Sequence, residues 1–335
     1  MSEDPVPGLS TIRAAVELGC RAPSVHNTQP WRWVLDGDRL QLLRDPDRLL
    51  GAADPHGRQA VISCGAVLDH VRTAFAAHCV HAEADRLPDP ARPDLLATLT
   101  FRPWPDPPVE LFRRAEAIAH RYTDRLPMTE PAGWASVRRA LDEVVTPHGL
   151  TLDVLPEDAR PRLALASEQT ASLRAYDPQY QAEIGWWTGH PGAREGIPPT
   201  AVVSDSERAR VGVARDFPAA GPSARRGELH DRARLTVLTA TDESPMSWLR
   251  TGEALSAMLL ACTADGLATC PLTHVTELVA ARRLLGSMIG HPGVPQVVVR
   301  VGSAPDPARP APTPRRPLTD VLRERPSGAT GPVSG

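Results

Sequence analysis

The sequence of this 335-residue chain predicts an α+β fold in which mixed β-sheets pack against helices, with one unit repeated in the two halves. Segments with helical periodicity alternate with short strand-like segments along the chain. Two periodic stretches, GAVLDHVRTA at 65–74 and GEALSAMLLA at 252–261, share Gly, Leu and Ala at one constant offset, and a strand pattern follows each. Three identities are weak support alone, so the suggestion of an internal duplication depends on the matching order of elements.

The first half begins with a helix from about residue 9 to 21, which Pro23 ends. The strand WRWVLD, a turn at Gly37 and a returning strand follow. A long helix is then predicted to be buried along one apolar face, formed by Val61, Cys64, Leu68, Val71 and Phe75. Strands near 79–85 and 95–101 complete this half. The segment RPWPDPPVE predicts a boundary between an N-terminal unit, 1–105, and a C-terminal unit, 106–335.

The second half repeats the alternation of helices and strands. Helices are predicted from about Val109 and around Trp134, followed by the strand LTLDVL and two more helical stretches. The strand RLTVLTAT, a helix around Leu255 and the strand QVVVRVG come after a long region, 186–230, that lacks both periodicities. Because structureless segments of this length usually cover or bind something, we predict a lid there. The tail after Arg325 is predicted to be disordered.

Composition excludes several classes of function. The net charge is −3 and the basic residues are dispersed, so no nucleic-acid partner is expected. The longest nearly apolar run, 254–264, is far shorter than the ~20 residues that span a bilayer, and no signal-peptide core is visible, so no membrane partner is expected. Five cysteines without a CxxC pair favour a reducing, cytoplasmic location. Since the chain has no lysine, any bound anion must be held by arginine.

The stretch APSVHNTQPWRW at 22–33, here named the hinge, combines two prolines with short polar side chains. The prolines hold its backbone open, and Ser24, Asn27 and Gln29 can each donate and accept hydrogen bonds. That combination suits the edge of a planar heterocycle. The alternative is a polar turn that ends a helix and locks a strand. A nucleophile and base pair, Ser24 with His26, lacks the GxSxG elbow that would support it.

A second polar stretch, HRYTDR, places Arg121 and Arg125 on either side of Tyr122, Thr123 and Asp124. Two guanidinium groups and a hydroxyl around a short loop predict a cradle for a phosphate. The alternative is solvated charge, with Thr123 or Asp124 capping a helix.

Together these stretches resemble the nitroreductase-like FMN flavoproteins. The hinge is similar to their PSxxNxQPW motif, and RYTDR resembles their phosphate motif. The order of GEALSAMLLACTADGLATCPL, VPQVVVRVG and PTPRRPL also resembles the family's central helix, flavin-edge loop, last strand and basic C-terminal segment. With the hinge first and the arginine motif after residue 120, the chain resembles the Acg-type branch. In that branch, a nitroreductase-like fold is duplicated within one chain as a pseudo-dimer.

The resemblance implies an FMN site between the two halves. The implied cofactor-binding residues are Pro23, Ser24, Val25, Asn27, Arg121, Tyr122, Thr123, Arg125, Pro271, Leu272, Thr273, Arg315 and Arg316. Arg121, Arg315 and Arg316 would hold the phosphate, and residues 271–273 would form a loop at the flavin N5 edge. His274 stands where the family often has glycine, so it is either a proton donor or a structural residue.

The implied function is an FMN-dependent oxidoreductase that takes electrons from NAD(P)H and passes them to an aromatic or nitro acceptor, with no catalytic side chain. The chain would be a monomer that imitates a homodimer, with a small-molecule substrate and one FMN. The rival is an FMN-sequestering protein with little turnover, because Trp186, Trp187 and Phe217 of the lid could cover the flavin. A zinc site at Cys262, Cys270 and His274 would match no common zinc spacing, so no metal is expected.

Overall fold

The computed structural model describes residues 7–188, 195–218, 221–305 and 312–325, and the elements within them follow the predicted order. The helices are α1 (Leu9–Gly19), α2 (Arg58–Ala77), α3 (Val109–Ile118), α4 (Trp134–Val145), α5 (Ala159–Ala175), α6 (Pro178–Trp187), α7 (Asp205–Val211), α8 (Pro245–Ala264), α9 (Val279–Gly286) and α10 (Leu318–Val321). The strands are β1 (Trp31–Asp36), β2 (Arg39–Arg44), β3 (Val80–Arg86), β4 (Leu95–Pro103), β5 (Thr151–Val154), β6 (Arg234–Ala240), β7 (Ala268–Leu272), β8 (Val294–Gly302) and β9 (Leu322–Arg325). The predicted disordered tail after Arg325 lies outside the described residues.

The first sheet has the strand order β3-β4-β2-β1-β9. Its pairs are antiparallel except for β1 and β9, which run parallel and align Trp33 with Leu322. The sheet is therefore mixed, and its edge strand comes from the far end of the chain. The boundary near residue 105 stays a prediction. The first sheet contains strands from both sides of that boundary, because β9 pairs with β1.

The second sheet has the strand order β5-β6-β8-β7, and all of its pairs are antiparallel. Its central strands β6 and β8 are buried along almost their whole length, as their runs of valine and leucine predict. The sequence interpretation of residues 271–273 as a loop is wrong for Pro271 and Leu272, which end strand β7. Proline is tolerated there because β7 is an edge strand, where one row of backbone amides is not needed for the ladder.

Helices α2 and α8 cross at the centre of the molecule, at the two glycines of the repeated stretches. A Cβ atom added to Gly65 would lie 2.0 Å from the Leu249 carbonyl oxygen, and one added to Gly252 would lie 1.9 Å from the Ile62 carbonyl oxygen. Leu249 and Ile62 each stand three residues before a contact glycine, so the contact is reciprocal. Reciprocal contacts between equivalent residues are the pattern of a two-fold interface.

Helix α2 is buried on nearly every side and not on one face alone. In the part of the chain that the structure describes, it is the helix long and apolar enough to cross a membrane, yet 89% of its most apolar window lies inside the protein. The five apolar residues of its predicted face are at most 3% exposed. We therefore interpret α2 as a core helix, enclosed because structure from both halves packs around it.

The described part of the lid segment, residues 186–188, 195–218 and 221–230, contains regular structure that its lack of periodicity does not predict. Helix α7 lies within it, and Ser204 and Glu207 form a capping box at its start. The expectation of a segment without helix is thus wrong at α7. A helix of only 7 residues is too short to show a periodic pattern, although the capping-box spacing in SDSE is readable from the sequence.

Candidate functional site

A pocket lies at the junction of the two halves. Its wall is formed by the hinge, one face of α2, the loop after α3, the end of β7 and the lid segment. Eight of the thirteen predicted site residues line it, namely Pro23, Ser24, Val25, Thr123, Arg125, Pro271, Leu272 and Thr273. The other lining residues are His26, Gln59, Ile62, Ser63, Ala66, Ile197, Val203, Ala214, Arg215, Phe217, Leu255, Cys270, His274 and Arg300.

The hinge reaches the pocket through an unusual backbone. His26, Asn27 and Gln29 have positive φ angles of 48°, 58° and 50°, a left-handed region that residues with a Cβ atom seldom occupy. The hydroxyl oxygen of Ser24 accepts a hydrogen bond from the Gln29 amide at 3.0 Å, and the Val25 amide donates to Ser63 Oγ at 3.1 Å. These two bonds hold the strained turn against α2 and bring His26 into the pocket wall.

Two polar side chains of the hinge, Asn27 and Gln29, form hydrogen bonds to other segments of the protein and do not line the pocket. Asn27 donates to the carbonyl oxygens of Gly196 and Pro314, each at 3.0 Å, and does not line the pocket. The Gln29 side-chain oxygen accepts from the Arg316 amide at 2.9 Å. For Asn27 and Gln29 the alternative of a polar locking turn therefore describes the structure better than contact with a heterocycle. Ser24 lines the pocket, and in the described part of the chain no hydrogen bond joins it to His26.

A cluster of three arginines, Arg21, Arg121 and Arg315, lies where α1 passes into the hinge. Arg121 and Arg315 both donate to the Arg21 carbonyl oxygen, at 3.3 and 2.9 Å. The Nε and Nη1 atoms of Arg121 and the Nε atom of Arg21 are buried without an acceptor. Within the described residues, the hydrogen-bond partners of the three guanidinium groups include no carboxylate.

Burial and mutual repulsion lower the pKa of two members of this arginine cluster. Burial, with repulsion from Arg315 and Arg21, lowers the pKa of Arg121 to about 9. Burial, with repulsion from Arg21, lowers the pKa of Arg315 to about 10. Buried guanidinium groups whose N–H donors lack acceptors favour the binding of an anion, and their forked geometry suits phosphate.

Two predicted residues are not brought to this cluster. Arg316 pairs with Asp45 at 3.3 Å and donates to the Gln29 and Trp31 carbonyl oxygens. These contacts hold the C-terminal segment on the hinge, and so they correct the assignment of Arg316 to a phosphate. Tyr122 donates its hydroxyl to Asp124 at 3.4 Å and does not line the pocket.

The end of β7 continues into His274, which is 3% exposed and lines the pocket. Its Nε2 atom lies 2.7 Å from Ser167 Oγ, and its Nδ1 atom is buried without a partner. Burial, with the positive charge of Arg215, lowers the pKa of His274 well below its usual value. A neutral imidazole carries a single N–H and no second proton, so this environment favours the structural interpretation of His274 over the proton donor.

The lid segment places Phe217 across the pocket. The Arg125 guanidinium lies 5.4 Å from the centre of the Phe217 ring, and the His26 ring meets Phe217 edge-on with centroids 6.2 Å apart. The segment also supplies Arg215, which is ion-paired with Glu277 and donates to the Tyr180 hydroxyl at 2.7 Å. Trp187 stacks on Arg48, and Trp186 does not line the pocket. Of the three predicted covering aromatics, only Phe217 is in the pocket wall.

Four of the five cysteines are buried and free, and Cys79 is exposed. Burial raises the pKa of Cys262 to about 12, which is unsuited to a thiolate ligand. Among the described residues, no group of three histidine, cysteine or carboxylate side chains is placed to hold a metal. The pocket therefore offers buried cations, apolar surface and neutral imidazoles as its chemistry.

Fold and site define a class: an α+β protein with a central pocket and, close by in sequence to its wall, a cluster of buried arginines without carboxylate partners among the described residues. No family model matches the chain. The "Putative NAD(P)H nitroreductase acg" of Mycobacterium tuberculosis is 49% identical over 317 residues, 94% of this chain and 96% of that protein. The "Putative NAD(P)H nitroreductase Rv3131" of the same organism is 34% identical over 326 residues, 94% of this chain and 92% of that protein. The chain belongs to the nitroreductase-like family, in its Acg-type branch.

Solved structures are similar only at a distance. The FMN-dependent nitroreductase NfnB from Mycobacterium smegmatis, solved with NADPH, is 18% identical with a TM-score of 0.38, covering 64% of this chain and 98% of its own. A nitroreductase with bound FMN from Bacteroides fragilis is 14% identical with a TM-score of 0.36, covering 66% of this chain and 98% of its own. We take no residue correspondence from similarities of this size.

Proposed function

We propose that this chain is an FMN-dependent oxidoreductase of nitroreductase type, which uses NAD(P)H to reduce an aromatic or nitro compound. The observation that carries the proposal is the arginine cluster, whose buried N–H donors lack acceptors. Two of its members adjoin the pocket wall in sequence, since Arg21 stands two residues before Pro23 and Arg121 two residues before Thr123. The names of the relatives point the same way, because two of them are named "Putative NAD(P)H nitroreductase". The eight predicted residues in the pocket wall supply the remaining support.

The arginine cluster would hold the FMN phosphate. A dianion there would receive the free Nε–H and Nη1–H groups of Arg121 and would neutralise the repulsion between Arg121 and Arg315. We assign Arg21 to this group as well, a residue that sequence reasoning missed. Its only sequence signal is its place immediately before the hinge motif. Arg316 is left out of the assignment because Asp45 already neutralises it.

The pocket would hold the ring system of FMN. Thr123 and Arg125 line it from the loop after α3, and Pro271, Leu272 and Thr273 line it from the end of β7. Arg125 is buried, which lowers its pKa, and Arg215 adds to this effect. A buried cation beside the ring stabilises the negative charge of the reduced cofactor. When bound, FMN supplies the two-electron chemistry, so the chain itself needs to bind, orient and shield the ring.

A second function, sequestration of FMN with little turnover, is favoured by Phe217. The Phe217 side chain lines the pocket between Arg125 and His26, on a lid segment that contacts the rest of the protein at several points. Within the lid segment, the Gly196 carbonyl oxygen accepts a hydrogen bond from Asn27 at 3.0 Å, and the Ala201 carbonyl oxygen accepts one from Arg125 at 3.2 Å. A lid held in this way would limit access of NAD(P)H to the ring.

We further propose that the chain is a cytoplasmic monomer that imitates a homodimer and binds one FMN. The reciprocal contact of Gly65 and Gly252 supports the pseudo-dimer. At the same offset, Ala66 of the pocket wall corresponds to Glu253. Glu253 is fully buried and ion-paired with Arg72 and Arg86, so charged side chains fill the place where a second site would be.

The experiment is the absorption spectrum of the purified protein, followed by anaerobic mixing with NADH or NADPH. Flavin bands that bleach within the time of turnover support the oxidoreductase. Flavin bands that stay for many minutes support sequestration. A protein that shows no flavin bands and binds no added FMN refutes both.

A further inference from the structure

The histidine at the end of β7 has a fixed proton position. The Ser167 hydroxyl lies 3.0 Å from the Ala214 carbonyl oxygen and 2.7 Å from His274 Nε2. A carbonyl oxygen can only accept, so the single hydroxyl proton of Ser167 goes to Ala214. The hydroxyl oxygen must then accept from His274, which places the imidazole proton on Nε2. Ser167 is 2% exposed, so water does not compete for this arrangement.

The other ring nitrogen of His274 is left as a bare acceptor. With the proton on Nε2, Nδ1 carries a lone pair, and that atom is buried without a partner. Burial lowers the pKa of His274 well below its usual value, with Arg215 adding to the effect, so the ring does not gain a second proton near neutral pH. An unpaired buried acceptor destabilises the protein, and a donor from a bound molecule would remove that cost.

Comparison with His26 shows that the fixed tautomer distinguishes His274 from the other imidazole in the pocket wall. Both imidazoles line the same pocket, both are buried, and His26 also has an unpartnered nitrogen, Nε2. In the described residues, no hydrogen bond to the His26 ring appears that would fix its tautomer. His26 can therefore face either a donor or an acceptor on the ligand, whereas His274 can face only a donor.

We propose that His274 is a fixed hydrogen-bond acceptor for an N–H group of the bound ring, and that Ser167 is the positioning residue that sets its tautomer. The inference rests on the proposed function, in which that ring belongs to FMN. A flavin ring offers an N–H at N3 in both oxidation states and a second one at N5 only when it is reduced. Contact with N3–H would add affinity, and contact with N5–H would favour the reduced form.

Two substitutions at His274 separate these roles. In His274→Gln, the side-chain amide can still donate to Ser167, but the acceptor at the Nδ1 position is lost. In His274→Asn, the shorter amide can offer its oxygen near the Nδ1 position, and the bond to Ser167 is lost. The first variant is therefore expected to lose recognition of the N–H group, and the second serves as the matched control that retains it.

The experiment begins with nitrogen-15 NMR of the flavin-free protein, with the His274 signals assigned by their absence in His274→Gln. A protonated Nε2 and an unprotonated Nδ1 are expected, and Ser167→Ala should mix the two tautomers. The reverse tautomer in the wild type would overturn the inference.

Flavin titrations then test recognition. If the contact is N3–H, the wild type should bind FMN about fivefold more tightly than 3-methyl-FMN, and His274→Gln should lose that preference. If the contact is N5–H, His274→Gln should lower the midpoint potential of bound FMN by about 20 mV, the value of a fivefold effect for two electrons. His274→Asn should resemble the wild type in either case.

Unchanged preference and unchanged potential in His274→Gln would overturn the inference while leaving the proposed function standing. Failure of the wild type to bind FMN at all would refute the proposed function, and the inference with it.

Discussion

Replacement of Arg121 by methionine is expected to stabilise the flavin-free protein while weakening FMN binding. Arg121 is 9% exposed, and its Nε and Nη1 atoms lack acceptors. Its neighbours Arg315 and Arg21 repel it, and burial with that repulsion lowers its pKa to about 9. Methionine fills a similar length without charge, so the substitution removes a buried cation and leaves most of the packing.

The two effects have magnitudes that the structure allows us to bound. A hydrogen bond to a charged group is worth roughly 1.5–3 kcal/mol. Loss of one such bond to the phosphate would weaken FMN binding by about 10- to 150-fold. In the flavin-free protein, removal of an unpaired buried charge should raise the free energy of unfolding by about 1–3 kcal/mol and the melting temperature by a few degrees.

The assays are thermal unfolding without flavin and fluorescence titration with FMN. Arg316→Met is the matched control, because Arg316 is neutralised by Asp45 at 3.3 Å. Its loss takes one of two arginine partners, Arg316 and Arg32, from the buried Asp45 carboxylate, so this variant should melt at a lower temperature than the wild type. A flavin-free Arg121→Met protein that is less stable than the wild type, or that binds FMN with undiminished affinity, would show that the arginine cluster is not an anion site.

Three further predictions follow from the lid segment and the pseudo-dimer. Phe217→Ala should speed reduction of bound FMN by NAD(P)H several-fold with little change in FMN affinity, and stopped-flow rates equal to those of the wild type would exclude Phe217 as a gate. Burial acts to raise the pKa of Glu207, but hydrogen bonds from Arg225 and Ser204 outweigh it and lower the pKa to about 2. Its stabilising contribution is therefore present above pH 4.5 and lost towards pH 2; hydrogen exchange of α7 should accelerate over that range, and a Glu207→Gln protein with the same pH profile would contradict this. Heat-released flavin measured against protein, with light scattering, should give one FMN per monomer, and two per chain would disprove the pseudo-dimer assignment.

The fold could be predicted from the sequence because most elements carry strong local patterns. The periodic residues of α2 and the valine run of β8 are buried as their patterns require. Strand β7 is not predicted because Pro271 masks it, and its pairing depends on residues of β8 that lie 26 or more positions away in sequence. Strand β9 was missed because it pairs with β1 across almost the whole chain, a contact that no local pattern encodes.

The parts of the pocket wall that belong to the family motifs could be predicted from the sequence. The partners of individual side chains outside the pocket wall could not. Arg316 and Arg315 are adjacent in sequence, yet Arg316 faces Asp45 while Arg315 faces the Arg21 carbonyl oxygen. Which of two neighbouring arginines meets a carboxylate depends on the tertiary structure. The same holds for His274, whose tautomer is set by Ser167, more than a hundred residues earlier in the chain.

The two halves use one scaffold in two ways, and the helix pair at the centre shows how. Gly65 and Gly252 make equivalent contacts, so the backbones of α2 and α8 cross in a nearly symmetric manner. One residue further along, the symmetry ends: Ala66 leaves space in the pocket wall, whereas Glu253 fills the corresponding position and is neutralised by Arg72 and Arg86. Removal of both arginines would leave the Glu253 carboxylate buried and unpaired, at a cost of about 3–5 kcal/mol. If the chain binds one FMN, as we propose, this ion-paired group stabilises the half without a flavin site, and the arginine cluster makes the flavin site dependent on an anion.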